Sequence, residues 1–155
     1  MKFSHVDEEG NVKMVDVDGK EYTVREATAS GKVFVKSETL ELVKAGSLKK
    51  GDVLLTAKLA GIIAAKRTSE LIPLCHNISL DCINIDITCN KEKNSIDIIA
   101  TAKCFEKTGV EMEVLTAVSV AALTVYDMCK AVDKEMVMGE IRLLEKTKNA
   151  IRENK

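Results

Sequence analysis

Residues 78–104 constrain the fold of this chain more than any other stretch. Ile78, Leu80 and Cys82 alternate on one phase, and Ile83, Ile85, Ile87 and Cys89 on the other. After the charged turn at 90–94, Ile96, Ile98, Ala100, Ala102 and Cys104 alternate without a break. A two-residue period on both sides of a polar turn specifies a β-hairpin with a buried face. The phase slip at Cys82–Ile83 predicts a β-bulge or a strand buried on both faces.

Two apolar helical patterns flank this hairpin. In Val53–Lys66, Val53, Ala57, Ala60 and Ala64 recur at helical spacing and most other positions are also apolar, which predicts burial on more than one side. Asp52 is placed to cap its start, and Pro73 forbids continuation. Residues 109–130 place Glu111 and Glu113 in a first turn, at the positive end of the helix dipole. Leu115, Val118, Ala122 and Val125 then form the apolar face. Ala117, Ala121 and Ala122 keep part of that surface small, and Asp127 and Lys130 share one side of the last turn.

Upstream, residues 1–11 read as a loose arm. Val12–Val17 reads as a strand closed by the turn Asp18-Gly19, with Tyr22–Ala29 pairing back to it. Lys32–Val35 is β-like, and Ser37 is a suitable N-cap for a short helix 38–45 that Gly46 stops. Met136–Leu144 is the last strand, followed by a charged tail at 146–155 expected to be flexible. The order is that of a ferredoxin-like plait: an α+β fold, βαββαβ, with an antiparallel sheet and helices on one face. An extra N-terminal β-rich arm and a short helix precede it, all in one domain of 155 residues.

Composition narrows the function classes. A net charge of −1 argues against a general polyanion binder, which needs a dense positive surface. The N-terminus MKFSHVDEEG has no apolar signal-peptide core, and apolar runs such as Leu59–Ala65 are too short to span a bilayer. The expectation is a cytoplasmic protein with no nucleic-acid or membrane partner. The five cysteines, Cys75, Cys82, Cys89, Cys104 and Cys129, contain no C-x-x-C pair and suit a reducing compartment. His5 and His76 are the only histidines, and no zinc-like spacing joins them to a thiol. Cys75 and His76 are adjacent, so on an extended segment they point to opposite sides rather than pairing.

Residues that could handle a phosphorylated ligand are few. Lys49-Lys50-Gly51-Asp52 joins charge to a helix start, although a solvated basic turn is the commoner meaning of such a pattern. Lys66-Arg67 at a helix end commonly complements the dipole. His76 follows Pro73 in a loop, where a lone histidine is more often structural than catalytic.

Longer blocks are more specific. KRTSELIPLCH (66–76) and GVEMEVLTAVSVAALTVYDMCKAVDK (109–134), with MVDV (14–17), TVREA (23–27) and KGD (50–52), resemble the cyclic pyranopterin monophosphate synthase family. This is the MoaC family of molybdenum-cofactor biosynthesis. The resemblance runs from about His5 to Leu144, with one departure: Asn77 stands where the family usually has proline.

The resemblance implies a lyase that rearranges 3′,8-cyclo-7,8-dihydro-GTP to cyclic pyranopterin monophosphate and releases pyrophosphate. It implies no iron–sulfur cluster and no redox cofactor, and any Mg²⁺ requirement is not evident from the sequence. By motif position Asp127, Lys130 and Lys50 are the catalytic residues. Asp127 is expected to be a base and the lysines acids, with pKa values lowered by neighbouring cations. Leu74, Cys75, His76, Met112 and Glu113, with Glu111 beside them, match the substrate-binding segments. Lys66, Arg67 and Arg25 are candidates for the phosphates. The main alternative, a non-catalytic ferredoxin-like nucleotide-binding module, is disfavoured where RNA is concerned by an aromatic content of 3%, because such modules stack bases on sheet aromatics. The family is also similar to a homohexamer, a trimer of dimers. Glu113 and Asp127 lie fourteen residues apart, which is about 21 Å on one helix. Two such ends meet at one substrate most simply when each comes from a different subunit.

Overall fold

The computed structural model describes residues 5–7 and 9–150. Its strands are β1 (Thr23–Phe34), β2 (Cys82–Asn90), β3 (Ser95–Glu106) and β4 (Val137–Asn149). They form one sheet in the order β2-β3-β1-β4, with every neighbouring pair antiparallel. Helices α1 (Ser37–Lys44), α2 (Val53–Lys66) and the single turn α3 (Thr68–Leu71) lie between β1 and β2, and α4 (Glu111–Cys129) lies between β3 and β4. The split βαβ of the ferredoxin-like plait is therefore present, with β3 inserted between β1 and β2.

The predicted alternation on β3 is the centre of the core. Ile96, Ile98, Ala100, Ala102 and Cys104 are all buried, as is Ile85 on β2. Val114, Ala117, Val118, Ala121, Ala122 and Val125 of α4 cover them. Gly61 brings α2 close to α4: a Cβ there would lie 2.5 Å from Ile85 Cδ1 and 2.9 Å from the Ala117 carbonyl oxygen. The small residues of α4 thus serve packing within the chain, and none of Ala117, Ala121 and Ala122 reaches the surface.

Six local expectations change. Helix α2 is buried along one side only: Val53, Ala57, Gly61, Ala64 and Ala65 face the core, while Leu55, Leu59 and Ile63 are exposed. Val12–Val17 is not a strand; among the described residues the arm makes one isolated bridge, Val6 with Val12. The reason is topological, since β1 is hydrogen-bonded on one side to β3 and on the other to β4, leaving no edge for a hairpin. Tyr22–Ala29 and Lys32–Val35 merge into β1, because Gly31 continues the strand and lets α4 approach where a Cβ would stand 2.5 Å from Val118 Cγ1. The Cys82–Ile83 slip is the start of β2, not a bulge: the register is even from Cys82↔Lys103 to Asn90↔Ser95, while Ile78 and Leu80 pack on the core from a loop.

The last two concern β4 and α1. Strand β4 runs past Leu144, and Lys146–Asn149 pair with 24–27 of β1; residues 151–155 lie outside the described residues. Ser37 is already inside α1 and caps nothing. The buried Asp133 does so from across the chain, accepting from Lys36 N–H at 2.8 Å and Thr39 Oγ1 at 3.1 Å. The C-terminal end of α1 follows expectation, with Gly46 at φ +62° and the Gly46→Val43 and Ser47→Leu42 backbone bonds of a Schellman motif.

Candidate active site

The two ends of α4 carry two different chemistries. At the C-terminal end, Asp127 sits in the last turn and Lys130 caps it. Lys50 arrives from the turn before α2, where Gly51 adopts φ +93° and Asp52 accepts from Leu55 N–H at 3.0 Å as the predicted cap. Lys130 Nζ lies 2.7 Å from Asp127 Oδ1. Lys50 Nζ donates to Asp127 Oδ2 at 2.9 Å and to the Asp127 carbonyl at 2.8 Å, so it also satisfies a helix-end carbonyl.

One carboxylate between two ammonium groups leaves a solvent-facing cluster with an excess positive charge. Hydrogen bonds from Lys130 and then Lys50 hold the Asp127 carboxyl down at about 2. Lys130 is pushed above its ordinary value by its hydrogen bond to Asp127. The expectation of a lysine lowered by neighbouring cations is therefore reversed at Lys130, because the intervening carboxylate is nearer than the second lysine. The cluster is built to place two ammonium groups side by side.

At the N-terminal end lies a cavity of about 450 Å³, lined among others by Leu74, Cys75, His76, Glu111, Met112 and Glu113. These are the six binding residues that the sequence motifs group together. Glu113 is 3% exposed and its Oε2 has no hydrogen-bond partner among the described residues. Burial pushes its carboxyl up to about 7, against a smaller opposing hydrogen bond from its own backbone N–H. Burial, then the Glu113 charge, also raises the Cys75 thiol, which lowers its thiolate fraction. His76 Nε2 lies 2.7 Å from the Val15 carbonyl oxygen. A carbonyl can only accept, so Nε2 carries the hydrogen. This bond ties the segment around Val15 to the loop that carries Cys75 and His76, over the cavity that both line.

Arg25 stands on β1 beside this end of α4 and donates from Nη2 to the Lys107 carbonyl at 3.0 Å. It lines a second crevice with Gly109, Glu111, Lys146 and Lys148. Lys66 and Arg67, at the end of α2, are exposed and line neither the cavity nor the crevice. Motif reasoning missed Lys20, Val15 and Val17 of the arm as cavity walls, and Lys146 of β4. The strand-like pattern of Val12–Val17 announces pairing rather than a cavity wall, and Lys146 belongs to a segment that reads as a charged tail.

The model of the MoaC family matches residues 14–149. A cyclic pyranopterin monophosphate synthase of Clostridium perfringens (strain 13 / Type A) is 56% identical over 145 residues, covering 94% of this chain and 92% of the relative. Proteins of the same name from Chloroflexus aurantiacus (strain ATCC 29366 / DSM 635 / J-10-fl) and Thermoanaerobacter sp. (strain X514) are 54% and 52% identical. They cover 94% and 95% of this chain, and 89% and 93% of their own lengths. With a match that takes in both ends of α4 and all of β4, this chain belongs to the MoaC family.

Proposed function

We propose that this protein is a cyclic pyranopterin monophosphate synthase, a lyase that converts 3′,8-cyclo-7,8-dihydro-GTP to cyclic pyranopterin monophosphate and pyrophosphate. The observation that carries this is the family match over 14–149 together with relatives of that name above 50% identity. The reaction opens the purine imidazole ring, recloses it as a pterin, and drives a ribose-derived hydroxyl onto the α-phosphate. Those steps need proton donors, proton acceptors and cations. Lys50 and Lys130 act as acids and stabilise developing negative charge. In the free chain a carboxyl held at about 2 is a weak base. Asp127 gains basicity when substrate draws one lysine away. Glu113 lines the cavity with an oxygen that has no partner among the described residues, suited to the N–H edge of the guanine-derived ring. The enzyme requires no redox cofactor and works in the cytoplasm. Incubation with the cyclised GTP tests the reading: product and pyrophosphate should appear in equal amounts, and their absence would refute it.

The site is completed by a second copy of the chain, within a hexamer arranged as a trimer of dimers. α4 is one unbroken helix, so Glu113 and Asp127 stand about 21 Å apart in one subunit. Leu55, Leu59 and Ile63 form an exposed apolar row along α2, and Leu123 is exposed on α4. These residues favour an interface over a free surface. Co-expression of Glu113→Ala and Asp127→Ala chains should restore activity that each lacks alone, since one site of the mixed dimer carries no lesion. Mixed dimers that form and stay inactive would exclude shared sites.

A further inference from the structure

Glu111 has a position that neither end of the helix explains. Its carboxylate folds back over Gly109: a Cβ added at Gly109 would lie 2.0 Å from Glu111 Oε2, and the three nearest atoms all belong to this carboxylate. Lys146 Nζ holds Oε1 at 3.0 Å. Glu111 and Gly109 line both the cavity that contains Glu113 and His76 and the adjoining crevice of about 290 Å³. The crevice collects Arg25, Lys146 and Lys148, and the Arg25 Nε is buried with no partner among the described residues. Three cationic side chains thus face a space in which the lining anions are Glu111 and Glu26.

We propose that the Glu111 carboxylate is a displaceable internal anion, occupying a polyphosphate subsite formed by Lys146, Arg25 and Lys148 and leaving it when a phosphoanhydride chain enters. The inference rests on the reading that the substrate carries a triphosphate. An exposed carboxylate–ammonium pair is a weak competitor. A phosphate chain brings more charge and more acceptor oxygens to the same lysine. Displacement also joins cavity and crevice, giving one cleft with the ring-binding carboxyl at one end and cations at the other.

The test is calorimetric titration of the full chain with inorganic tripolyphosphate. Glu111→Gln removes the competing charge at constant size and should tighten binding several-fold. Gly109→Ala keeps every charge but fills the place of the carboxylate. The Gly109 φ lies outside the left-handed region, so alanine fits the backbone and the side chain of Glu111 must move. It should tighten binding in the same direction, and Lys146→Gln should weaken it several-fold. Turnover distinguishes the sources of the phosphate. A lower KM for the cyclised GTP in Glu111→Gln marks the substrate's own tail, whereas an unchanged KM with stronger pyrophosphate inhibition marks the departing product. Either supports the subsite. Affinity unchanged or weaker in Glu111→Gln, or unchanged in Gly109→Ala, overturns it. Failure of the parent chain to turn over would instead refute the functional reading and leave the titration to judge the subsite.

Discussion

Glu113 makes the stability of this protein depend on pH in a window where few proteins of ordinary composition are sensitive. Its carboxyl is buried, lacks a partner for Oε2 among the described residues, and is raised from 4.5 to about 7. In the unfolded chain the group ionises near its ordinary value. Between those two values the native state therefore holds a proton that the unfolded state has lost, so stability falls as pH rises. The full shift corresponds to about 3 kcal/mol lost between pH 4.5 and 7, with little further change above. Carboxyls held low in the native state, Asp127 among them, act below this window, and the raised thiols of Cys104 and Cys129 act near 11. Glu113→Gln keeps the shape and removes the ionisation. Urea unfolding at fixed protein concentration, from pH 4.5 to 8.5, should show the parent losing about 3 kcal/mol relative to the variant. Parallel pH profiles for the two proteins would show that Glu113 ionises normally and that its burial carries no such penalty.

Asp133→Ala should cost about 2–4 kcal/mol, since it strips partners from Lys36 N–H and the buried Thr39 hydroxyl together; equilibrium denaturation measures it, and a loss below about 0.5 kcal/mol would show that water replaces the carboxylate. Gly61→Ala sets a helix-propensity gain of about 1 kcal/mol against an overpacking cost of about 1–3. The backbone oxygen of Ala117 is one of the obstructing atoms and cannot rotate away, so the variant should be less stable, and a higher midpoint would refute the close approach. Lys50→Ala and Lys130→Ala should each lower turnover by at least about 10²-fold while unfolding like the parent, because both side chains are about half exposed. Activity within a few-fold of the parent would remove that lysine from the chemistry.

What was legible in the sequence was whatever repeats over short distances. The alternation from Ile96 to Cys104 and the spacing along α4 are local, and the structure keeps them nearly residue for residue. Helix α2 keeps its helix but not the expected burial on more than one side, because the face carrying Leu55, Leu59 and Ile63 has no element among the described residues packed on it. Asp52 and Gly46 act on their own neighbours, so they too could be read. Partners chosen across the chain could not. Ser37 is a good cap by type, but Asp133 lies 97 residues from Lys36 and takes the position. Val12–Val17 has strand chemistry, yet β3 and β4 had claimed both edges of β1. In the candidate site the cavity's six motif residues came from family blocks, since nothing in their spacing shows that 74–76 and 111–113 adjoin. Lys146 escaped because its strand is an exposed edge whose apolar pattern is interrupted by register shifts opposite Thr28/Ala29 and Ser30/Lys32.

The unbroken course of α4 limits how this chain can change its length. Inserting one residue between Glu113 and Asp127 would turn one end by about 100° against the other and advance it by about 1.5 Å. The buried row from Val114 to Val125 would lose its phase against the sheet. Loops such as 90–94 have no comparable duty and can lengthen at small cost. The helix therefore acts as a gauge: drift in chain length belongs to the turns, and the fourteen-residue interval between the two chemical ends is held constant by the core itself.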